Sequence, residues 1–244
     1  MNTIGVTALC MTHGRFTRLR DSLACFLGQL PVDAYRSALP VEMKMNIFNF
    51  AETPIHCEQP GVSVFNHPMS GGVHAIWAEA LKTVDTEFVV MWLDDDLYLP
   101  WCLSQCAEHI GVASAIKTRQ FWIMVGCNGA YRFGLHQIET GEGSYMVRTE
   151  IALAVGLRPA DGAWIVPGLE VLDMTPGWVF RINDGGYHSE NQPWTDQQKH
   201  DLDWRAHNAD FGDGKTPLTP ASLKPYWSAL LAVRPDLAPS FRHD

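Results

Sequence analysis

Short apolar runs and helical stripes take turns along this chain. Residues 4–12 (IGVTALCMT) form an apolar run of buried-strand length. The polar THGR that follows leads into Phe16, Leu19, Leu23, Phe26, Leu27 and Leu30, spaced for one face of a helix. Residues 43–49 and 62–65 predict two more short strands, separated by the polar turn AETP. After HPMSGG, the residues Val73, Ile76, Trp77, Ala80, Leu81 and Val84 recur at i, i+3, i+4, i+7, i+8 and i+11, which predicts an amphipathic helix. The run FVVMWL at 88–93 predicts the next strand, and a helix starts near Leu99 and Pro100. Further strands are predicted at 120–127 and 178–182, with a Gly-rich turn GEGS and a short helix near 149–155 between them. From Gln192 onward the chain is rich in Trp, Pro and charge, with two short helices predicted at 196–206 and 220–233.

Strands alternating with helices predict an α/β fold with a mainly parallel central sheet, which binds ligands at the carboxyl ends of its strands. The segments 12–15, 49–52, 71–74 and 94–96 all fall at such ends. We read residues 1–244 as one domain: a nucleotide-binding half (1–98), an acceptor and catalytic half (99–190) and a C-terminal helical extension (191–244). The most informative stretch is FVVMWLDDDLYLP, where an apolar strand stops at Asp94, Asp95 and Asp96. Three adjacent carboxylates repel unless they are solvated or neutralised by a cation. Either they form a solvated acidic turn, or they hold a hard divalent ion that carries a diphosphate, the work to which D-x-D spacing at a strand end is suited. Gly71 and Gly72 at a helix start let the backbone and its free N–H groups approach such an anion. The competing account is a flexible turn before an ordinary helix.

Composition narrows the partners. The 244 residues are 46% apolar, enough for a substantial core, and 27 acidic against 18 basic residues leave a formal charge of −9. That charge opposes nonspecific binding to a phosphate backbone unless the basic residues cluster. No apolar run reaches bilayer length, and the opening residues read as a strand rather than a leader. Six cysteines scattered through apolar patterns predict reduced thiols and a cytoplasmic location, host cytoplasm for a phage-encoded protein. Cys102, Cys106 and His109 share helical spacing, but C-x₃-C-x₂-H matches no common zinc pattern, and a buried helix face accounts for them better.

VTALCMTHGRFTRLRDSLACFLGQ (6–29) resembles the opening of the large inverting, family-2-like GT-A glycosyltransferases. HPMSGGVHAIWAEALKTVDTEFVVMWLDDD (67–96) resembles their second signature, a Gly-rich helix start and a strand ending in D-x-D. GEGSYMVRTEIALAVGL (141–157) is similar to the acceptor-side segment, and PGLEVLDMTPGWVFRINDGGYH (167–188) to the acidic catalytic motif with its late histidine. The resemblance implies a GT-A αβα sandwich that transfers a sugar from a nucleoside-diphosphate sugar, of the UDP type, to an acceptor hydroxyl with inversion. It implies Mn²⁺ or Mg²⁺ held by Asp96 directly, by Asp94 through ribose or a ligating water, and by His188. Thr12, His13, Gly14 and Arg15 would cradle the nucleotide, Arg15 near phosphate and His13 near base or ribose, with Asp95 also in the donor-binding set. Asn49 stands where the family often has Asp against a uracil ring, and Glu52 is a second candidate. An inverting transfer needs one carboxylate base; Glu170 is the first choice and Asp173 the alternative. Trp164, Trp178, Trp194, Trp204 and Trp227 are candidate stacking walls for the acceptor, which is a glycan or a small molecule.

Rival readings give other outcomes. A phage-type transferase acting on a hydroxymethylated DNA base needs a basic groove from Arg15, Arg18, Arg20, Lys117, Arg119, Arg132 and Arg148. A nucleotidyltransferase needs a longer Gly-rich loop than THGR. A haloacid-dehalogenase-like phosphatase needs its D-x-D after the first strand. A binding module without catalysis would keep the fold alone.

Overall fold

β1 (Ile4–Thr12) is the spine of the molecule, paired in parallel with β2 (Val41–Asn49) on one side and β4 (Phe88–Leu93) on the other. The computed structural model describes residues 3–29, 41–67, 73–127, 130–137, 145–156, 166, 168–174 and 176–182. β3 (Val62–Asn66) extends the sheet beyond β2. β9 (Tyr145–Arg148), β6 (Ala115–Thr118) and β10 (Leu169–Leu172) extend it beyond β4, giving seven strands in the order β10-β6-β9-β4-β1-β2-β3. β9 is antiparallel to both its neighbours, so β6 and β10 again run parallel to β1.

Alternate residues of the strands feed two apolar layers. Ala8, Cys10, Val90 and Trp92 face α1 (Phe16–Leu27) and α3 (Cys102–Ile110), packing with Leu19, Phe26, Leu103 and Cys106. Leu9, Met11, Val89 and Met91 face the opposite way and pack with Trp77 and Ala80 of α2 (Val73–Leu81) and Ala152 of α4 (Thr149–Val155). This is the expected αβα sandwich. The period-2 side-chain alternation of each strand is what supplies both layers.

A second sheet of four strands, β5-β11-β7-β8, was not foreseen. It joins β5 (Leu97–Tyr98), β11 (Trp178–Ile182), β7 (Gln120–Cys127) and β8 (Ala130–Gln137). Its entry is tight. Leu99 N–H donates to Gly177 O at 2.7 Å, and a Cβ at Gly177 would lie 2.8 Å from Cys102 Cα, so only glycine admits the approach. α2 ends at Leu81 rather than Val84, because Lys82, Thr83 and Val84 N–H bond three residues back and tighten the last turn. Cys102 and Cys106 are buried while His109 is exposed and bonded to Gln105 O, so the three do not converge.

No helix among the described residues is long and apolar enough to cross a membrane. The turn at 141–144, Leu30, Gly71, Gly72, His188, Trp164, Trp194, Trp204, Trp227 and the extension at 191–244 lie outside the described residues.

Candidate functional site at the β1 and β4 carboxyl ends

β1 has β2 on one flank and β4 on the other, so the crevice at its carboxyl end is the topological switch point where open α/β sheets take ligands. Met11 is level with Leu93, and Thr12 with Asn49, which places 12–15, 49–52 and 94–96 along one edge. Gly14 has φ +75°, a left-handed conformation that lets the chain leave β1 and enter α1 within three residues. Arg15 is the residue just before α1. The end of β4 is fixed from both sides: Ser22 Oγ donates to Leu93 O at 2.9 Å, and Leu93 N–H donates to Tyr98 OH at 2.7 Å. Tyr98 in turn stacks on Trp92, centroids 3.7 Å apart.

The three aspartates have three different fates. Arg15 grips Asp94 with two guanidinium nitrogens and reaches Asp95 with a third. Arg18 lies 4.0 Å from Asp95. Asp94 is 1% exposed, and burial pushes its carboxyl up to about 7 against the opposing pull of Arg15. Asp95 is the outermost of the three, with 24% of its side chain accessible. Asp96 turns inward, 1% exposed; its Oδ2 accepts from Trp178 Nε1 at 2.6 Å and its Oδ1 from Arg181 N–H at 3.0 Å. Burial and the neighbouring Asp95 hold its carboxyl well above the ordinary range. Arg181 also donates to Asp95 O and, at 3.0 Å, to Asp21 Oδ2 on α1.

In this structure Asp96 is a buried anchor, each of its oxygens accepting one hydrogen bond from inside the protein, and Trp178 is its partner. Asn49 is engaged as well. It is fully buried; its amide nitrogen donates to Thr53 O and Asn66 Oδ1 and its Oδ1 accepts from Ala51 N–H. These bonds shape the turn, and Glu52 in that turn is exposed. His13 is exposed, 5.3 Å from the Phe50 ring.

Whether the edge fits a divalent ion is tested by the cation already there. The Arg15 guanidinium stands between Asp94 and Asp95 as a stand-in positive charge, and two carboxylates plus substrate phosphates are a set that Mg²⁺ and Mn²⁺ use. Asp94 and Asp95 face that charge, whereas Asp96 is bonded inside the protein in this structure. Among the described residues no three His, Cys, Asp or Glu side chains are grouped to hold a metal unaided.

The candidate bases separate along β10. Because β10 runs parallel to β4, the carboxyl end of β10 faces the same edge as the aspartates. Asp173 follows that end, 81% exposed, and accepts from Arg119 Nε at 2.9 Å. Glu170, also exposed, is level with Ile116 in mid-strand, roughly 10 Å further from the edge at strand rise. The residues missed by sequence reasoning are Asp21 and Arg181. The available signal was a charge inside an otherwise apolar pattern, in α1 and in WVFRI.

No family model and no curated protein matches the sequence. The fold is shared with solved structures. The S. aureus TarS 1–349 complex with UDP-GlcNAc aligns with TM-score 0.55 at 13% identity, covering 86% of this chain and 69% of that one. The mannosyltransferase PcManGT from Pyrobaculum calidifontis, in complex with GDP-Man and Mn²⁺, aligns with TM-score 0.51 at 14% identity over 96% of this chain and 76% of that one. Against another TarS 1–349 structure the chain spans 60% of the partner's length, with TM-score 0.51 and 12% identity. The chain has the GT-A glycosyltransferase fold.

Proposed function

We propose that this chain transfers a sugar from a nucleoside-diphosphate sugar to an acceptor hydroxyl, with inversion. The observation that carries this reading is the meeting, at the switch point of a GT-A fold, of the 12–15 turn with Asp94 and Asp95. TarS and PcManGT, which share the fold, are seen with UDP-GlcNAc and with GDP-Man and Mn²⁺. Mn²⁺ or Mg²⁺ held at Asp94 and Asp95 would supply the charge that neutralises the diphosphate leaving group. The turn after β1 binds the nucleotide: Gly14 lets its backbone come close, and Arg15 meets phosphate.

Asp173 is the base in this scheme, with Glu170 as the alternative. It takes the proton as the acceptor oxygen bonds to the anomeric carbon, opposite the breaking bond, whose electrons pass to the diphosphate oxygen. Arg119 Nε, 2.9 Å from Asp173 Oδ1, holds the carboxylate in place. A reducing, cytoplasmic location belongs to the proposal, supported by the buried thiols of Cys10, Cys25, Cys102 and Cys106, which form no disulfide.

Of the basic residues that the DNA-base reading requires, Arg20 is exposed, 3.8 Å from Asp21, while five others are paired or buried. Arg15, Arg119 and Arg148 each face a carboxylate, Arg18 is buried beside Asp95, and Lys117 is buried. A thermal-shift panel of UDP- and GDP-sugars with Mn²⁺ tests the proposal, because a ligand bound only by the folded state raises the unfolding midpoint. Stabilisation by at least one donor supports it; no response to any contradicts it.

A further inference from the structure

We infer that Arg15 is an exchangeable counter-ion. It neutralises Asp94 and Asp95 when no other cation is present, and it passes to the diphosphate when a divalent ion takes its place, so that metal and nucleotide each promote binding of the other. This rests on the glycosyltransferase reading above and adds to it the order in which charges trade partners. Three observations carry it. The guanidinium reaches the cluster through a fork, two nitrogens on Asp94 and one on Asp95. A divalent ion bound to those same oxygens would repel a guanidinium at hydrogen-bond distance from them, so the two cations exclude each other there. Arg15 precedes the first helical residue and follows Gly14 with its φ of +75°, so its stem starts at the mouth of the crevice, and its side chain is 15% accessible although ion-paired.

The alternatives for a displaced Arg15 are unequal. Without an anion it would give up its pairs with two carboxylates, so a metal entering by itself works against the ion pairs it breaks. With a nucleoside diphosphate present, the same planar fork finds phosphate oxygens that match it in charge and geometry. Arg18, 4.0 Å from Asp95, and Arg181, bonded to Asp21 and to the Asp95 carbonyl, stay in place and hold the turn while Arg15 moves.

The test is calorimetric titration of the full chain with Mn²⁺ alone, with UDP or GDP alone, and with each in the presence of the other. For the parent, Mn²⁺ should bind about ten-fold or more tightly when the nucleotide saturates, and linkage requires the nucleotide to gain the same factor from Mn²⁺. Arg15→Met removes the competing cation. It should bind Mn²⁺ alone about ten-fold more tightly than the parent, with the mutual enhancement reduced to about three-fold or less. Arg15→Lys keeps a charge but loses the fork, should fall between the two, and carries the test if the Met variant does not fold. Parent-like or weaker Mn²⁺ affinity in these variants, or an undiminished enhancement, overturns the inference while leaving nucleotide binding standing. Absence of UDP and GDP binding under every condition overturns it together with the proposed function.

Discussion

Trp178 donates its indole N–H to Asp96 at 2.6 Å, tying the first residue of β11 to the turn after β4, 82 positions earlier in the chain. Trp178→Phe keeps the ring but leaves a buried carboxylate oxygen without its donor, which costs about 1–3 kcal/mol. Denaturant unfolding with EDTA present should show that loss. Asp96→Ala should likewise destabilise the metal-free chain, because it strands Trp178 Nε1 and Arg181 N–H. A stability unchanged in EDTA would return Asp96 to the role of an exposed ligand.

The strands that bound the site were legible because each is a long apolar run closed by polar residues. β1, β4 and β11 fall where the pattern puts them, and α1 and α4 follow their helical spacing. The second sheet was not legible: β5 has two residues, and although β8 alternates Tyr131, Phe133 and Leu135 with Arg132, Gly134 and His136, nothing local says which strands it joins. The aspartates announced a cation but not which of them faces it. Asp96 is turned inward by Trp178 and Arg181, and bonds across more than eighty residues leave no mark in local sequence. THGR was legible as the turn from a strand into a helix, whereas the grip of Arg15 on Asp94 depends on the pairing of β1 with β4.

Lys117 gives a pH test. Its side chain is fully buried in β6, its ammonium has no hydrogen-bond partner among the described residues, and it lies 5.1 Å from the centroid of the Tyr145 ring. Burial lowers its pKa from the ordinary 10.5 to about 8. Between those values the unfolded chain holds a proton that the folded chain has released, so its contribution to stability rises with pH across that window and is lost as pH falls through about 8. Lys117→Met should raise the unfolding midpoint at pH 7 by about 3 °C, and the advantage should shrink as the pH approaches 10. The thiol of Cys10 and the phenol of Tyr98, both raised by burial, act in the opposite sense in parent and variant alike, so the difference between the two proteins isolates Lys117.

The base assignment separates two carboxylates, Glu170 within β10 and Asp173 just after it. Asp173→Asn should slow nucleoside-diphosphate release from the donor by about 100-fold while leaving donor affinity unchanged. Glu170→Gln should change it by no more than about three-fold. The reverse result, measured by single-turnover kinetics, would move the base to Glu170.

A formal charge of −9 and a set of arginines already paired with carboxylates predict no appreciable affinity for unmodified duplex DNA at physiological salt. Fluorescence anisotropy decides this. Tight binding with a steep salt dependence would favour a DNA-base acceptor.

The central claim is that a nucleoside diphosphate sits where the carboxyl ends of β1 and β4 meet. A crystal structure of the chain soaked with UDP or GDP and Mn²⁺ tests it most directly. The account predicts the diphosphate over the 12–15 turn, with Mn²⁺ between it and the carboxylates of Asp94 and Asp95, and Asp96 still bonded to Trp178. A nucleotide seated away from that edge, or Mn²⁺ bound by Asp96 with its bond to Trp178 broken, would contradict it.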